Sequence, residues 1–168
     1  LLEELYINTK PESQSDSPII DFQSYRLFVN KVVDEEIVKR KKSDGQYTCL
    51  NSIVDGFTAY NDVYGFMAGN QVMRHAATTI QRNVSELGTA YDFIGITNDE
   101  FIVLTHTDDV DTLDRIIQDT FAEEIKAFYT FMDVDQGGVL LNEGKSNETL
   151  VGLMQFSGTR DHLASATR

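Results

Sequence analysis

The sequence has little of what several functional classes require. It has one cysteine, Cys49, so no internal disulfide can form. Cys49 stands between Thr48 and Leu50 in a stretch that reads as a strand, which predicts a buried, reduced thiol with no partnering base beside it. Cations are scarce, with 14 Lys and Arg against 27 Asp and Glu for a net charge of -13. A nucleic-acid partner is excluded on that balance, because neutralising phosphates needs a basic surface. The single basic run, Lys39-Arg40-Lys41-Lys42, falls at the end of a predicted helix, where cations complement the helix dipole. Long apolar runs are also missing. Phe101-Ile102-Val103-Leu104 is far short of the roughly 20 residues a spanning helix needs, so no membrane insertion is expected from this segment. No basic stretch followed by an apolar segment and a small-residue cleavage site opens the chain, so secretion is not indicated and a cytoplasmic location is expected. There is no internal repeat and no low-complexity tract.

What remains is ordinary globular material, 41% hydrophobic and 24% charged over 168 residues, enough for one domain with a core and too little for two. Residues 1–17 read as a leader or linker from an upstream domain, and residues 18–168 as the domain. Ser17 and Pro18 suit the cap and first turn of a helix. Phe22, Tyr25, Phe28, Val32 and Val33 continue it at helical spacing to about Lys42, where Ser43-Asp44-Gly45 stops it. Gln46 to Val54 predicts a strand. A short irregular segment then leads to a helix with Met73, Ala76, Ala77, Ile80, Val84 and Leu87 in an apolar stripe, capped by Gly88. Tyr91 to Ile96 and Phe101 to Thr105, separated by Thr97-Asn98-Asp99-Glu100, give a β-hairpin signal. A further helix follows Asp108-Asp109, with Leu113, Ile116, Ile117, Phe121, Ile125 and Phe128 on one face. Gly138 to Leu141 and Thr149 to Phe156 read as strands. The order predicts an α/β (α+β) fold, a mostly antiparallel central sheet with βαββ connectivity and helices packed on it.

Weaker signals carry no chemistry. Asp133-Val134-Asp135-Gln136-Gly137-Gly138 is similar to the start of a calcium-binding loop, but the fifth position is Gly137 and the twelfth is Gly144, so a solvated turn is expected. Asn83 and Asn147 open glycosylation sequons that a cytosolic chain does not use. His75, His106 and His162 lack ligand spacing and read as surface or capping residues.

Two segments carry a family resemblance. Phe57-Thr58-Ala59-Tyr60-Asn61-Asp62-Val63-Tyr64-Gly65-Phe66-Met67-Ala68-Gly69-Asn70 resembles the stretch F-K-x-I-N-D-x-Y-G-H-x-x-G-D of the GGDEF (diguanylate cyclase) family, with Phe57, Asn61, Asp62, Tyr64, Gly65 and Gly69 in register. Thr97-Asn98-Asp99-Glu100-Phe101 then stands in the hairpin where that family has G-G-D/E-E-F. The resemblance covers roughly residues 18 to 160, with the family's final helix missing or truncated. It implies the nucleotide-cyclase palm-like fold. It also implies an ancestral activity, the condensation of two GTP molecules into cyclic di-GMP by phosphoryl transfer helped by metal ions.

The departures fall on the residues that chemistry uses. The hairpin acid is kept as Asp99, followed by Glu100, but the resemblance places the first-strand metal aspartate on Ile53, which cannot ligate magnesium. Asp55 lies on the same strand face but about 6.5 Å further along. Thr97 and Asn98 replace the glycine pair of the phosphate turn, and Thr58 replaces a phosphate-contacting lysine. Of the guanine-reading positions, Asn61 is retained and Asn70 replaces an aspartate. Gly88-Thr89-Ala90-Tyr91 stands where the product-inhibition motif R-x-x-D belongs.

The expected function is therefore a catalytically inactive GGDEF-like regulatory or interaction domain of a bacterial signalling protein, still compatible with weak GTP binding. No catalytic residue is expected intact, Asp99 and Glu100 being vestigial. Asn61 and Asn70 are the vestigial guanine positions, and Thr97 and Asn98 the vestigial phosphate turn. No metal or cofactor is expected, with Asp55 and Asp99 the only candidate ligands. The partners expected are neighbouring domains of the same polypeptide or a homodimer partner, with GTP as a possible ligand. One alternative is an active diguanylate cyclase with a rearranged Mg2+ site around Asp55 and Asp99. A second is an unrelated small-molecule sensor.

Overall fold

The computed structural model describes residues 28–43 and 46–164. The leader and the Ser17-Pro18 helix start lie outside them. The described elements are β1 (Phe28–Val29), α1 (Lys31–Lys42), β2 (Gln46–Asp55), α2 (Phe57–Tyr64), α3 (Phe66–Leu87), β3 (Phe93–Thr97), β4 (Glu100–Thr105), α4 (Val110–Glu124), a 3-10 turn (Ile125–Phe128), α5 (Phe131–Gln136), β5 (Gly138–Leu141), β6 (Thr149–Gly152) and β7 (Gln155–Ala164). The order β1-β3-β4-β2-β7 makes a five-stranded sheet, and β5 pairs with β6 in a separate ribbon. Only the β1–β3 pairing in the large sheet is parallel.

Alternation along the strands divides the core between the two sheet faces. Leu50 and Val54 of β2, Ile96 of β3, and Phe101 and Val103 of β4 pack with the stripe Val72, Met73, Ala76, Ala77, Ile80 and Val84 of α3 and with Leu113, Ile117 and Phe121 of α4. Tyr47, Cys49, Phe93, Ile102 and Leu104 face the other way, onto Val32 and Val33 of α1. The Cys49 thiol is buried and donates to Asn51 Oδ1 at 3.0 Å. Burial, reinforced by Asp161, pushes its pKa up to about 11, so it stays protonated and unreactive.

Four expectations about elements are corrected. Helix α1 does not run through Phe28: Phe28–Val29 is a strand beside Gly95–Ile96, and Asn30, at φ 45, turns the chain into the helix. The segment after β2 is not irregular. It forms α2, bracketed by Gly56 (φ 82) and Gly65 (φ 94), whose left-handed backbone marks both ends. Asp133–Gly138 is not a solvated turn. Thr130 accepts from the Asp133 N–H and Gly137 adopts the left-handed C-cap, which together make α5 a short helix. The stretch Thr149–Phe156 is two strands, and the second, β7, continues to Ala164 along the whole length of β2. Its polar sequence hides it, because it is an edge strand tied down by charge: Arg160 pairs with Asp111 and Asp114 of α4.

The basic run at the end of α1 is more than a complement to the dipole. The Arg40 side chain is only 14% exposed. It donates from Nε to Glu36 at 3.1 Å and from a terminal nitrogen to the Tyr91 carbonyl at 2.6 Å, and another terminal nitrogen lies 3.0 Å from His106 Nε2. His75 is half-buried rather than a surface residue. Its ring packs on Phe121 and Phe128 and lies 3.3 Å from Glu124, tying α3 to α4.

Candidate functional site

At the end of β2, Asp55 is exposed, and Gly56 carries the chain into α2, its carbonyl accepting the Tyr60 N–H at 3.1 Å. Asn61 falls in the last turn of α2, and its backbone carbonyl accepts the Gly65 N–H at 2.9 Å. The next turn begins α3 and brings Gly69 against the Asn61 side chain. A Cβ at Gly69 would collide with the Asn61 amide oxygen, with the Phe57 ring next in line. Asn70 follows, half-buried. Both Asn61 Oδ1 and Asn70 Oδ1 are shut off from solvent without a hydrogen-bond donor. Buried polar atoms are nearly always paired, so two unmet acceptors nine residues apart on one helical elbow are unusual.

The elbow is held by an aromatic cluster. Tyr60 and Tyr64 stack at 4.5 Å, and Tyr129, just after the 3-10 turn, meets both edge-on at 5.1 and 5.7 Å. The Tyr60 hydroxyl donates to the Phe128 carbonyl at 2.8 Å, and burial drives its pKa up to about 12. Tyr64 donates to Asp133 and accepts from the Thr130 N–H at 2.9 Å, while Tyr129 accepts from the Met154 N–H at 2.8 Å. Sequence reasoning missed Tyr129 and Asp133 in this role. The signal available was the i, i+4 pair Tyr60 and Tyr64, which needs an aromatic neighbour to bury it.

The hairpin closes with Thr97 opposite Glu100. Asn98 (φ 51) and Asp99 (φ 64) occupy the two central positions, both left-handed, which is the geometry of a type I′ turn. Asn and Asp adopt it without glycine, so the turn survives the loss of the glycine pair. Asn98 and Asp99 are exposed, Thr97 and Glu100 half-buried. In the β2–β4 ladder Ser52 faces Phe101, so one further step sets Ile53 level with Glu100. Ile53 is 44% exposed there and offers no donor atom. Among the described residues no three His, Cys, Asp or Glu side chains converge to hold a metal ion.

A helix–loop–helix carrying Asn61 and Gly69, set beside an I′ hairpin with a carboxylate at its tip and a βαββ core beneath, is a specific arrangement. The family model described as "Diguanylate cyclase, GGDEF domain" matches residues 25–150. The chain belongs to the GGDEF family. No curated protein matches its sequence.

Solved structures agree on the fold. The coiled coil and GGDEF domain of DgcB from Caulobacter crescentus, in complex with c-di-GMP, superposes with a TM-score of 0.55 at 14% identity, covering 96% of this chain and 73% of that one. Diguanylate cyclase SiaD from Pseudomonas aeruginosa, in complex with its activator SiaC, gives 0.55 at 15% identity and 99% of this chain, which spans 56% of SiaD. A microbial GGDEF domain bound to cyclic di-GMP gives 0.52 at 15% identity, covering 89% of this chain and 82% of the other. The GGDEF domain of this chain is thus a diguanylate cyclase-like signalling module with a mostly antiparallel central sheet. No helix among its described residues is long and apolar enough to cross a membrane.

Proposed function

We propose that this GGDEF domain is a regulatory module that binds GTP weakly and does not condense it, residues 1–17 linking it to a preceding domain of a cytoplasmic signalling protein. The observation that carries the loss of turnover is Ile53 at the ladder position beside Glu100. The residues that would hold a divalent ion on the hairpin side are carboxylates, but the strand side offers a hydrocarbon. An ion held from one side alone does not neutralise a triphosphate. Thr97 adds β-branched bulk where backbone N–H groups would approach phosphate oxygens, and Thr58 leaves that approach without a cation. Losing one stabiliser of transition-state charge typically costs about two to three powers of ten in rate, and several are missing together.

Retained binding is supported by Asn61 and Asn70. Their unmet amide oxygens suit a ligand with N–H donors, such as the guanine edge, once the elbow side chains turn outward. Isothermal calorimetry with a non-hydrolysable GTP analogue and Mg2+ tests this half of the reading. Weak binding that is lost in Asn61→Ala is expected, and no heat at millimolar ligand would refute it. Chromatography of GTP incubated with the protein and Mg2+ or Mn2+ tests the other half. Cyclic di-GMP above the no-enzyme level would overturn it in favour of a rearranged site around Asp55 and Asp99.

A further inference from the structure

The elbow between α2 and α3 and the neighbouring α5 expose large apolar side chains that the nucleotide reading does not use. Phe66 is 55% and Met67 80% exposed, and Phe131 and Met132 are 84% and 78% exposed. The Tyr64 hydroxyl, accepting from the Thr130 N–H and donating to Asp133, brings the two pairs to the same end of the domain. Helix α5 buries none of its residues, yet it is capped at both ends, and Gln136 braces it to Asp133 and to the Gly138 carbonyl at 2.9 and 2.8 Å. A short helix fixed this firmly with Phe and Met turned to water presents a preorganised apolar surface. Aromatic residues and methionine are the types enriched at protein interfaces.

The charge around it selects the occupant. No lysine or arginine occurs from Ser43 to Met73 or from Ala127 to Gly144, the segments that carry these residues, whereas Asp62 and Asp135 stand exposed beside them. With -13 overall, a second copy would bring like charge to like. We propose that this surface docks a basic amphipathic helix of a partner protein. The partner's apolar residues cover Phe66, Met67, Phe131 and Met132, and its Lys or Arg residues meet Asp62 and Asp135.

The full chain is titrated with a fluorescent 18-residue Leu/Lys amphipathic helical peptide and with a scrambled peptide of the same composition, followed by anisotropy. The helical peptide is expected to bind at least tenfold more tightly than the scramble. Phe131→Ser/Met132→Ser should cost at least tenfold, and Asp135→Lys should weaken binding and flatten its salt dependence. Val38→Ser, an exposed apolar residue of α1, should change nothing. Each variant's circular dichroism melt is compared with wild type to confirm folding. Equal binding of the scramble, or an equal loss in Val38→Ser, would reduce the effect to bulk charge and overturn the proposal. Sedimentation showing a wild-type dimer that Phe131→Ser/Met132→Ser dissociates would overturn it in favour of a second copy.

Discussion

An amide oxygen closed off from water without a donor costs about 1–3 kcal/mol, and this domain keeps two such atoms, on Asn61 and Asn70. Removing them separates stability from binding. Asn70→Ala is expected to leave the urea midpoint unchanged or raise it, while Asn61→Ala does the same and abolishes binding of the GTP analogue. A loss of more than about 1 kcal/mol in both variants would show that the amides are structural. Gly69 gives the opposite test. Its missing Cβ is where the Asn61 amide sits, so Gly69→Ala must displace that side chain or the helix. Overpacking of this kind costs about 1–3 kcal/mol, and the urea midpoint should fall accordingly. The double variant Gly69→Ala/Asn61→Ala relieves the collision and should recover most of the loss.

At the scale of elements, α1 and α3 are fastened by polar contacts. Arg40, paired with Glu36 one turn earlier on α1, reaches from that helix to the Tyr91 carbonyl just before β3, the two side chains being 14% and 9% exposed. Breaking a buried pair from one side leaves an uncompensated charge, typically costing about 3–5 kcal/mol. Glu36→Ala should therefore destabilise more than Glu36→Leu/Arg40→Met, as chemical denaturation of the double-mutant cycle would show. His75 fastens α3 to α4 and senses pH. Burial lowers its pKa below the ordinary value of about 6.5, against the opposing pull of Glu124. The folded state thus prefers neutral imidazole more than the unfolded chain does. Its contribution is fully present above pH 6.5 and is lost as pH falls through the lowered folded value. Melting temperature should drop from pH 7.5 to pH 5, and His75→Gln should flatten that slope.

The same scale shows what was legible in the sequence. The hairpin was readable because its turn residues and flanking apolar runs are local signals, and α4 because Asp109 caps it through the Thr112 N–H. Helix α2 was not, since eight residues between two glycines give too short a period. The continuation of β7 beyond Phe156 escaped because its pairing partner lies a hundred residues away and its ion pairs with Asp111 and Asp114 are set by the tertiary fold. At the site, the positions of Asn61, Asn98 and Asp99 followed from motif spacing. The unmet oxygens, the Gly69 contact and the Tyr129 edge did not, because they arise only where α2 meets α3 and the segment after α4.

Taken as a whole, the molecule is held together against its own charge. With 27 acids and 14 bases, most carboxylates face a field of their own sign, and the long-range part of that repulsion is screened once the Debye length falls to about 10 Å near 0.1 M salt. Short ion pairs pull the other way: Arg82 with Glu124 at 2.9 Å, Lys126 with Glu123 at 2.9 Å, and Arg160 with Asp111 and Asp114. Exposed pairs of this kind are worth only about 0–1 kcal/mol each, whereas the excess of acids acts over the entire surface. Repulsion should win, so raising NaCl from about 0.02 M to about 0.3 M is expected to move the urea midpoint upward with an unchanged m-value. A midpoint that falls with salt would mean that the Arg82 and Arg160 pairs outweigh the net charge. The acid slope assigned to His75 is then best measured at the higher salt, where general repulsion is screened and the imidazole is left to dominate between pH 7.5 and pH 5.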